Sequence, residues 1–376
     1  MERKKHKMIP VCEPTIGKEE LKNVIKCLKT NWISSKGKYI GIFEKQFSRY
    51  CGAKHGITTT SGGSALHLAL AALGIGKGDE VIMPTFTMIA SAYAAVYTGA
   101  KPVFVDSEPK TWNIDVNKIE EKITDKTKVI MPVHIYGHPV DMDKILEIAK
   151  EHNLYVVEDA AEAHGAEYKG RKVGCLGDIG CFSFYANKII TTGEGGMIVL
   201  NDDEIARNAR ILKDFAHSED MRFLHKMIGF NYRITNIQAA IGVAQFKKIE
   251  KFIAARRNNA KIYNSYLRKI KGITIPYEEK WAKNVYWMYS ILIDDDFGMT
   301  REELRKKLLE IGIETRTFFI PMHAQSVFRD MGLGGGNFPV ADGISKRGFY
   351  LPSSSSLKKE QIKFICGTIK SIKESI

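Results

Sequence analysis

Short apolar runs alternate with helical patterns from residue 52 to about residue 200. The apolar runs include DEVIMP, KPVFVD, TKVIMPVH and LYVVEDA, and helical patterns such as TMIASAYAAVYTG and DMDKILEIAKEHN lie among them. Strands joined by helices of this length form right-handed crossovers. The pattern therefore predicts an α/β fold with a mostly parallel sheet covered on both faces. Ligands of such sheets bind beyond the carboxyl ends of the strands.

The pattern changes after about residue 236. A long helical stretch runs to about residue 271, and VYWMYSILID then has the character of a strand. TREELRKKLLEIG is a helix with Thr300 as its N-cap, and KKEQIKFICGTIKSIKESI is a closing helix. We predict an N-terminal arm and large α/β domain over residues 1–245, and a smaller α+β domain over residues 246–376.

Composition narrows the class of protein. The 376 residues carry a formal net charge of +13, but the lysines are dispersed on helical faces, and no nucleic-acid motif accompanies them. We expect no nucleic-acid or membrane partner, only a bias toward an anionic small substrate. The six cysteines are scattered, as in reduced cytosolic proteins. The basic start MERKKHK leads into no signal-peptide core, so we expect a cytoplasmic protein.

Two segments at predicted strand ends suggest a phosphate-binding turn and a buried acid. TSGGSALHLAL places glycines and serines between a strand and a helix, where free amides and the helix dipole attract phosphate; a plain tight turn fits equally well. VVEDAAEAHGA leads an apolar strand into Glu158 and Asp159. A buried acid there needs a cationic partner, and the alternatives are a helix cap or an ion pair.

A third segment, SFYANKIITTGEGG, places Lys188 between a strand and a glycine-rich turn. Taken alone, such a lysine is most often solvated. A phosphate-binding turn, a buried acid and a lysine in this order on a parallel sheet indicate pyridoxal phosphate (PLP) chemistry. The acid would keep a pyridine nitrogen protonated, and the lysine would form a Schiff base with the cofactor.

The same segments resemble the DegT/DnrJ/EryC1/StrS family of nucleotide-sugar aminotransferases, which are fold type I PLP enzymes. The resemblance extends from about Ile9 to the C-terminus. It is carried by NWISSKGKYIGIFE, SGGSALHLALAALGIGKGDEVIMPTFT, GAKPVFVD, MPVHIYGHPVDMD, VVEDAAEAHGA, FSFYANKIITTGEGG, GFNYRITNIQAAIGVAQ and GIETRTFFIPMH. It implies an aminotransferase that uses PLP, takes its amino group from L-glutamate and works as a homodimer with shared active sites.

The resemblance also assigns cofactor-binding residues. Lys188 would bind PLP covalently and move protons as a general acid and base. Asp159 would pair with the pyridine nitrogen, and Glu162 would lie beside the ring hydroxyl. The phosphate would be held by four residues, the last of them from the neighbouring subunit: Gly63, Ser64, Ser183 and Asn231.

This chain departs from the family pattern at two positions. Gly63 stands where the family usually has Thr, so Ser64 or Ser61 would have to replace its hydroxyl contact. Met88 stands where an aromatic ring commonly stacks on the cofactor; its thioether can pack on a π face, and Phe86 could move in. We expect His134 and His164 to be core residues and no metal to be bound.

Within the family, NKIITTGEGG, GFNYRITNIQAAIG, VYWMY and GIETR are most similar to enzymes that aminate GDP-4-keto-6-deoxy-D-mannose at C4. The product would be GDP-perosamine, for surface polysaccharide (O-antigen) biosynthesis. The segment MHAQSVF fits this group less well. Substrate contacts would come from Tyr232, Arg233, Arg316 and His323; for Arg316 the alternative is a surface ion pair.

Three alternative functions are compatible with parts of this sequence. A dTDP- or UDP-linked keto sugar could replace the GDP-linked one. Sugar dehydratases share the fold, but they typically carry histidine in place of the Schiff-base lysine, so Lys188 argues against them. Some relatives were first described as regulators, and the basic charge is compatible with DNA binding.

Overall fold

The computed structural model describes residues 8–218, 221 and 223–376, so the basic start of the N-terminal arm lies outside the described residues. The strands are β1 His55–Thr59, β2 Glu80–Pro84, β3 Lys101–Val105, β4 Thr127–Ile130, β5 Tyr155–Asp159, β6 Glu167–Tyr168, β7 Arg171–Lys172, β8 Ile179–Ser183, β9 Gly196–Leu200, β10 Ile273–Thr274, β11 Ala282–Lys283, β12 Tyr289–Ile293, β13 Arg316–Thr317 and β14 Gly348–Leu351. The α-helices are α1 Lys18–Lys29, α2 Lys38–Cys51, α3 Gly62–Ala72, α4 Ile89–Thr98, α5 Met142–Glu151, α6 Asp203–Leu212, α7 Asn236–Phe246, α8 Ile249–Leu267, α9 Arg301–Glu310, α10 Ser326–Asp330, α11 Pro339–Arg347 and α12 Lys359–Glu374.

A seven-stranded sheet forms the centre of the N-terminal part, in the order β1-β9-β8-β5-β4-β2-β3. The pairs β2/β3, β2/β4, β4/β5 and β5/β8 are parallel, whereas β9 runs antiparallel to both β1 and β8. Strands β2, β8 and β9 are buried at every position, as expected of a sheet covered on both faces. The predicted mostly parallel sheet is present, with one antiparallel strand.

The C-terminal part contains an antiparallel four-stranded sheet in the order β10-β12-β14-β13. Helix α9 begins with the expected cap: the Thr300 amide donates to Glu303 Oε2 (2.7 Å), and the Glu303 amide donates to Thr300 Oγ1 (3.3 Å). The predicted helical stretch after residue 236 consists of two helices, α7 and α8, rather than one.

Helix α8 joins the two parts of the molecule. Its Phe252 and Ile253 lie in the buried cluster around the central sheet, whereas its Tyr263 and Leu267 lie in a second cluster under the C-terminal sheet. Ile9, from the N-terminal arm, also belongs to the second cluster. Within the described residues, no helix is both long enough and apolar enough to cross a bilayer.

Candidate active site

A cavity of about 400 Å³ lies at the carboxyl ends of β5 and β8, between the central sheet and the C-terminal part. Seven of the twelve predicted site residues line it: Gly63, Met88, Asp159, Glu162, Ser183, Lys188 and Arg316. The other five do not line it in a single chain: Ser64, Asn231, Tyr232, Arg233 and His323.

The start of α3 forms one wall of the cavity. The first intrahelical hydrogen bond runs from the Ala65 amide to the Ser61 carbonyl (3.0 Å), so the amides of Gly62 and Gly63 precede it and can donate to an anion. A Cβ at Gly62 would lie 2.7 Å from Cβ of Ser183, so only glycine lets the helix approach β8 this closely. The Ser183 hydroxyl, which accepts a hydrogen bond from the Tyr185 amide (3.3 Å), keeps its proton for a phosphate.

Two of the serines serve the helix itself. The Ser64 amide donates to Ser61 Oγ (3.1 Å), and Ser64 Oγ accepts from the Ser61 amide (2.8 Å), which makes a reciprocal cap. Both hydroxyls are therefore engaged in capping. A Cβ at Gly63 would meet no atom closer than 3.8 Å, so a larger residue would fit there. Packing therefore does not require glycine at position 63, and its presence means only that the hydroxyl of the family's usual Thr is absent.

Asp159 ends β5 and is 5% exposed. Its Oδ2 accepts a hydrogen bond from Ser91 Oγ (2.7 Å), and its Oδ1 accepts from the Ala161 amide (3.1 Å). Burial raises the pKa of this carboxyl, although the two hydrogen bonds and the charge of Lys188 oppose the rise. A protonated ring nitrogen in the cavity would provide the positive partner that a buried carboxylate needs.

Lys188 follows β8 in a turn closed by a hydrogen bond from its amide to the Tyr185 carbonyl (3.0 Å). Its Nζ lies 3.9 Å from the centre of the Trp287 ring. Burial lowers the pKa of the Lys188 amine, while the negative charges of Glu162 and Asp159 counteract this effect. A lowered pKa increases the fraction of neutral amine, the form that attacks a carbonyl carbon.

Glu162 is buried beside Lys188, and its Oε2 accepts a hydrogen bond from the Tyr136 amide (2.8 Å). Burial raises the pKa of this carboxyl to about 7. The backbone of Tyr136 is in the left-handed region, with φ of 52°, which is costly for a residue with a side chain. The strained turn directs its amide at Glu162.

Met88 is the N-cap residue of α4, lines the cavity and is 49% exposed, so its thioether can reach a bound ring. Phe86 is fully buried against Phe318 and Phe319, with ring centres 5.8 and 6.2 Å away, and it does not line the cavity. The idea that Phe86 could replace the stacking ring is wrong, because its side chain is part of the core.

Arg316, on β13, is exposed and lines the cavity. No carboxylate among the described residues forms an ion pair with it, so the alternative of a surface ion pair finds no support there. Its guanidinium is free to bind an anionic group of a substrate.

The segment at residues 231–233 does not line the cavity of its own chain. Asn231 is exposed, the Tyr232 hydroxyl lies 2.9 Å from Nδ1 of His67, and Arg233 pairs with Asp214. A single chain therefore does not bring this segment to the cofactor site.

Three predicted histidines have partners within the protein or lie in its core. His323 bonds through Nδ1 to Thr85 Oγ1 (2.7 Å) and through Nε2 to Asp342 Oδ1 (3.1 Å). His134 Nε2 lies 3.0 Å from Glu158, and its Nδ1 accepts from the Val140 amide. Burial among phenylalanine rings lowers the pKa of His164 to about 3. As expected, His134 and His164 lie in the core.

The C-terminal part contributes cavity residues that the sequence reasoning missed. Trp287, Phe319 and Tyr350 line the cavity, and none of them was predicted as a site residue. Trp287 belongs to the segment VYWMY and Phe319 to GIETRTFFIPMH, and both segments carry the family resemblance. Ser91, the hydrogen-bond partner of Asp159, was also missed.

The sequence profile of the DegT/DnrJ/EryC1/StrS aminotransferase family matches residues 14–370 of this chain. The chain is 44% identical to the GDP-perosamine synthase of Caulobacter vibrioides over 97% of this chain and 98% of that protein. It is 46% identical to the GDP-perosamine synthase of Escherichia coli O157:H7, over 96% of this chain and 98% of that protein. The PLP-form structure of Spr1654 from Streptococcus pneumoniae superimposes with a TM-score of 0.92 at 26% identity, covering 98% of this chain and 99% of that one.

Proposed function

The chain belongs to the DegT/DnrJ/EryC1/StrS aminotransferase family, and from this premise we propose that it makes GDP-perosamine. The reaction transfers the amino group of L-glutamate to C4 of GDP-4-keto-6-deoxy-D-mannose. The observation that carries the proposal is the cavity in which Lys188, Asp159 and the first turn of α3 meet. The choice of sugar is supported by the two relatives named GDP-perosamine synthase.

The residues of the cavity fit pyridoxal phosphate, the cofactor of this enzyme. When bound, it supplies a carbonyl that exchanges for an amine and a ring that withdraws electrons. The amides of Gly62 and Gly63 and the Ser183 hydroxyl hold the phosphate. Asp159 would keep the ring nitrogen protonated, Met88 would pack against the ring face, and the Glu162 carboxyl would lie beside the ring hydroxyl.

Lys188 moves the protons of both half-reactions. Its Nζ, as neutral amine, removes the proton from Cα of glutamate, and as ammonium it returns a proton to C4 of the sugar. Glu162, with a pKa near neutrality, lies close enough to influence the charge on Lys188 at each step. The same cavity must accept both substrates in turn, since the two half-reactions use one lysine.

The working unit is a homodimer whose active sites are shared. Asn231 is exposed and does not line the cavity of its own chain, and this leaves it available to reach the phosphate in the partner's site. Tyr232 and Arg233 enter the same neighbouring site and contact the sugar nucleotide. Arg316 binds its diphosphate bidentately, and His323, held by Thr85 and Asp342, supports the segment that follows Arg316.

The reaction takes place in the cytoplasm and serves surface polysaccharide biosynthesis. All six cysteines are free thiols, which agrees with a reducing compartment.

Competing substrates test the proposal. The enzyme is given equal concentrations of GDP-, dTDP- and UDP-linked 4-keto-6-deoxy sugars with glutamate, and the amino sugars are quantified by mass. We expect the GDP sugar to have the highest kcat/KM, with no amine formed by Lys188→Ala. A preference of more than about tenfold for either other nucleotide would overturn the GDP assignment, and a lack of amine from all three would overturn the aminotransferase reaction on such sugars.

A further inference from the structure

Trp287 reaches the cavity from the C-terminal part of the chain and lies against Lys188. Its ring centre is 3.9 Å from Nζ of Lys188, and its Nε1 donates a hydrogen bond to the carbonyl of Asn187 (2.9 Å). Its own amide donates to the carbonyl of Tyr136 (3.0 Å). Trp287 is thus held from both sides, and one face of the indole is presented to the lysine.

Arg256, on α8, binds the backbone of Trp287. Its guanidinium donates to the Trp287 carbonyl, to Ser355 Oγ (3.2 Å) and to Cys12 Sγ (3.6 Å). The residue is 3% exposed, and no described carboxylate pairs with it. A buried cation without an anionic partner is costly. A charge kept at this cost next to the lysine points to a role in the site.

The two residues act on the charge of Lys188 in opposite directions. The π face of an indole stabilises an ammonium group, whereas a nearby guanidinium disfavours a second positive charge. Burial is the main cause of the lowered pKa of Lys188, and Arg256 adds to it. The other charged or titratable groups that act on the amine are Asp159, Glu162, Cys12 and the neutral His164.

From this geometry we propose that Trp287 and Arg256 are positioning residues for Lys188. The indole face holds the released amine at the cavity wall while it carries a proton, and Arg256 fixes the backbone of Trp287 and favours the loss of that proton. The inference rests on the proposed role of Lys188 as the lysine that binds the cofactor.

The test measures the proton affinity of Lys188 directly. The enzyme is converted with glutamate to the form in which Lys188 is free, and then receives short pulses of acetic anhydride over a range of pH. Mass spectrometry of the peptide containing residue 188 gives the acetylation rate, and its pH midpoint is the apparent pKa of the amine. This readout does not depend on turnover.

Four variants and two controls separate the effects. Trp287→Leu removes the π face, so the pH midpoint of acetylation should fall by about half a pH unit. Trp287→Phe keeps a π face, so its midpoint should fall less. Arg256→Met removes the positive charge and should raise the midpoint. Arg256→Lys keeps the positive charge, so its midpoint should equal that of the wild type. The two controls are Trp281→Leu and Arg257→Met. The Trp281 ring packs on Tyr168 and Arg257 pairs with Glu278, so neither control should change the midpoint.

Midpoints that stay at the wild-type value in both Trp287→Leu and Arg256→Met, or that move in the same direction, would overturn the proposal. Circular dichroism identifies a variant that does not fold; if Arg256→Met is one, the comparison of Trp287→Leu with Trp287→Phe decides. Borohydride reduction of the loaded wild type, followed by peptide mapping, tests the premise separately. Cofactor fixed to another lysine would refute the proposed role of Lys188 whatever the midpoints show.

Discussion

Ser91 Oγ donates a hydrogen bond to Asp159 Oδ2 across 2.7 Å, and this bond joins the first turn of α4 to the end of β5. Both side chains are buried, and Ser91 also lies 3.1 Å from the hydroxyl of Thr87. The bond stabilises the ionised form of a carboxyl whose pKa burial would otherwise raise further. Ser91 therefore helps to keep Asp159, the acid of the proposed cofactor site, charged.

Replacement of this serine should weaken the site without disrupting it. In Ser91→Ala we expect activity to fall about tenfold, because a hydrogen bond to a charged group is worth about 1.5–3 kcal/mol. The loss should be greatest at low pH, where Asp159 becomes protonated first. Steady-state rates against pH provide the measurement. Thr98→Val, on the same helix, serves as the control because its hydroxyl bonds to the Ala95 carbonyl; equal losses in both variants would contradict the role of Ser91.

Lys188→Ala should abolish both turnover and the visible absorption of the covalently bound cofactor. The fold should persist, since the side chain lies at a cavity wall rather than in the core. Absorption spectra and thermal unfolding are compared with those of Lys169→Ala, which removes a lysine from a surface ion pair with Asp143. Near-normal transamination by Lys188→Ala would show that another residue binds the cofactor.

The raised pKa of Glu162 predicts a pH-dependent stability. The folded pKa is about 7 and the ordinary value is 4.5, so the fold favours the protonated carboxyl. Its stabilising contribution is complete below pH 4.5 and is lost as the pH rises through about 7. Between these limits the free energy of unfolding of the cofactor-free wild type should fall, relative to Glu162→Gln, by on the order of 3 kcal/mol. Urea unfolding at a series of pH values tests this, and parallel curves for the two proteins would refute it.

The proposed sharing of active sites between two subunits predicts complementation between inactive variants. If Asn231 serves the partner's site, a mixed dimer of Lys188→Ala and Asn231→Ala has one intact site and one that is doubly impaired. After subunit exchange, activity should recover to about a quarter of wild type if dimers form at random. A mixture of Lys188→Ala with Asp159→Asn is the control, because those residues share a chain's own cavity, and it should stay inactive. Equal recovery in both mixtures, or an active monomer by light scattering, contradicts the shared site.

Arg316 should matter for the nucleotide sugar through its planar guanidinium. Arg316→Lys keeps the charge but loses bidentate geometry, so kcat/KM for the sugar should fall about tenfold or more. The half-reaction with glutamate should change less, and rapid mixing measures the two half-reactions separately. Arg305→Lys is the control, because Arg305 bonds to Glu302 and Thr315. An equal loss of rate in both half-reactions would refute the proposal that Arg316 binds the diphosphate of the sugar nucleotide.

Much of the fold followed from local sequence patterns, and so did the grouping of seven predicted residues around one cavity. Strand and helix periods differ, so the alternation before residue 200 predicted the sheet, and the Thr300–Glu303 spacing predicted a helix start. Asp159 and Ser183 end neighbouring parallel strands, and such ends meet at one edge of a sheet. Lys188 lies in the turn that follows the second of them, so its place in the cavity could also be predicted.

The rest depended on contacts between distant parts of the chain. Trp287 and Tyr350 reach the cavity because the C-terminal part packs over it, and no local pattern shows that packing. His323 looked like a substrate ligand, but Thr85 and Asp342, far apart in sequence, occupy its two nitrogens. The direction of β9 was also beyond prediction, because an apolar run has the same pattern in either direction.

The placement of β1 has a consequence for the growing polypeptide on the ribosome. This strand is at the edge of the sheet and pairs with β9, residues Gly196–Leu200, which are synthesised much later. Until they emerge, β1 has no strand to pair with. Nascent chains arrested before residue 196 should therefore expose an unpaired edge strand, the kind of surface that chaperones bind and that aggregates by strand addition.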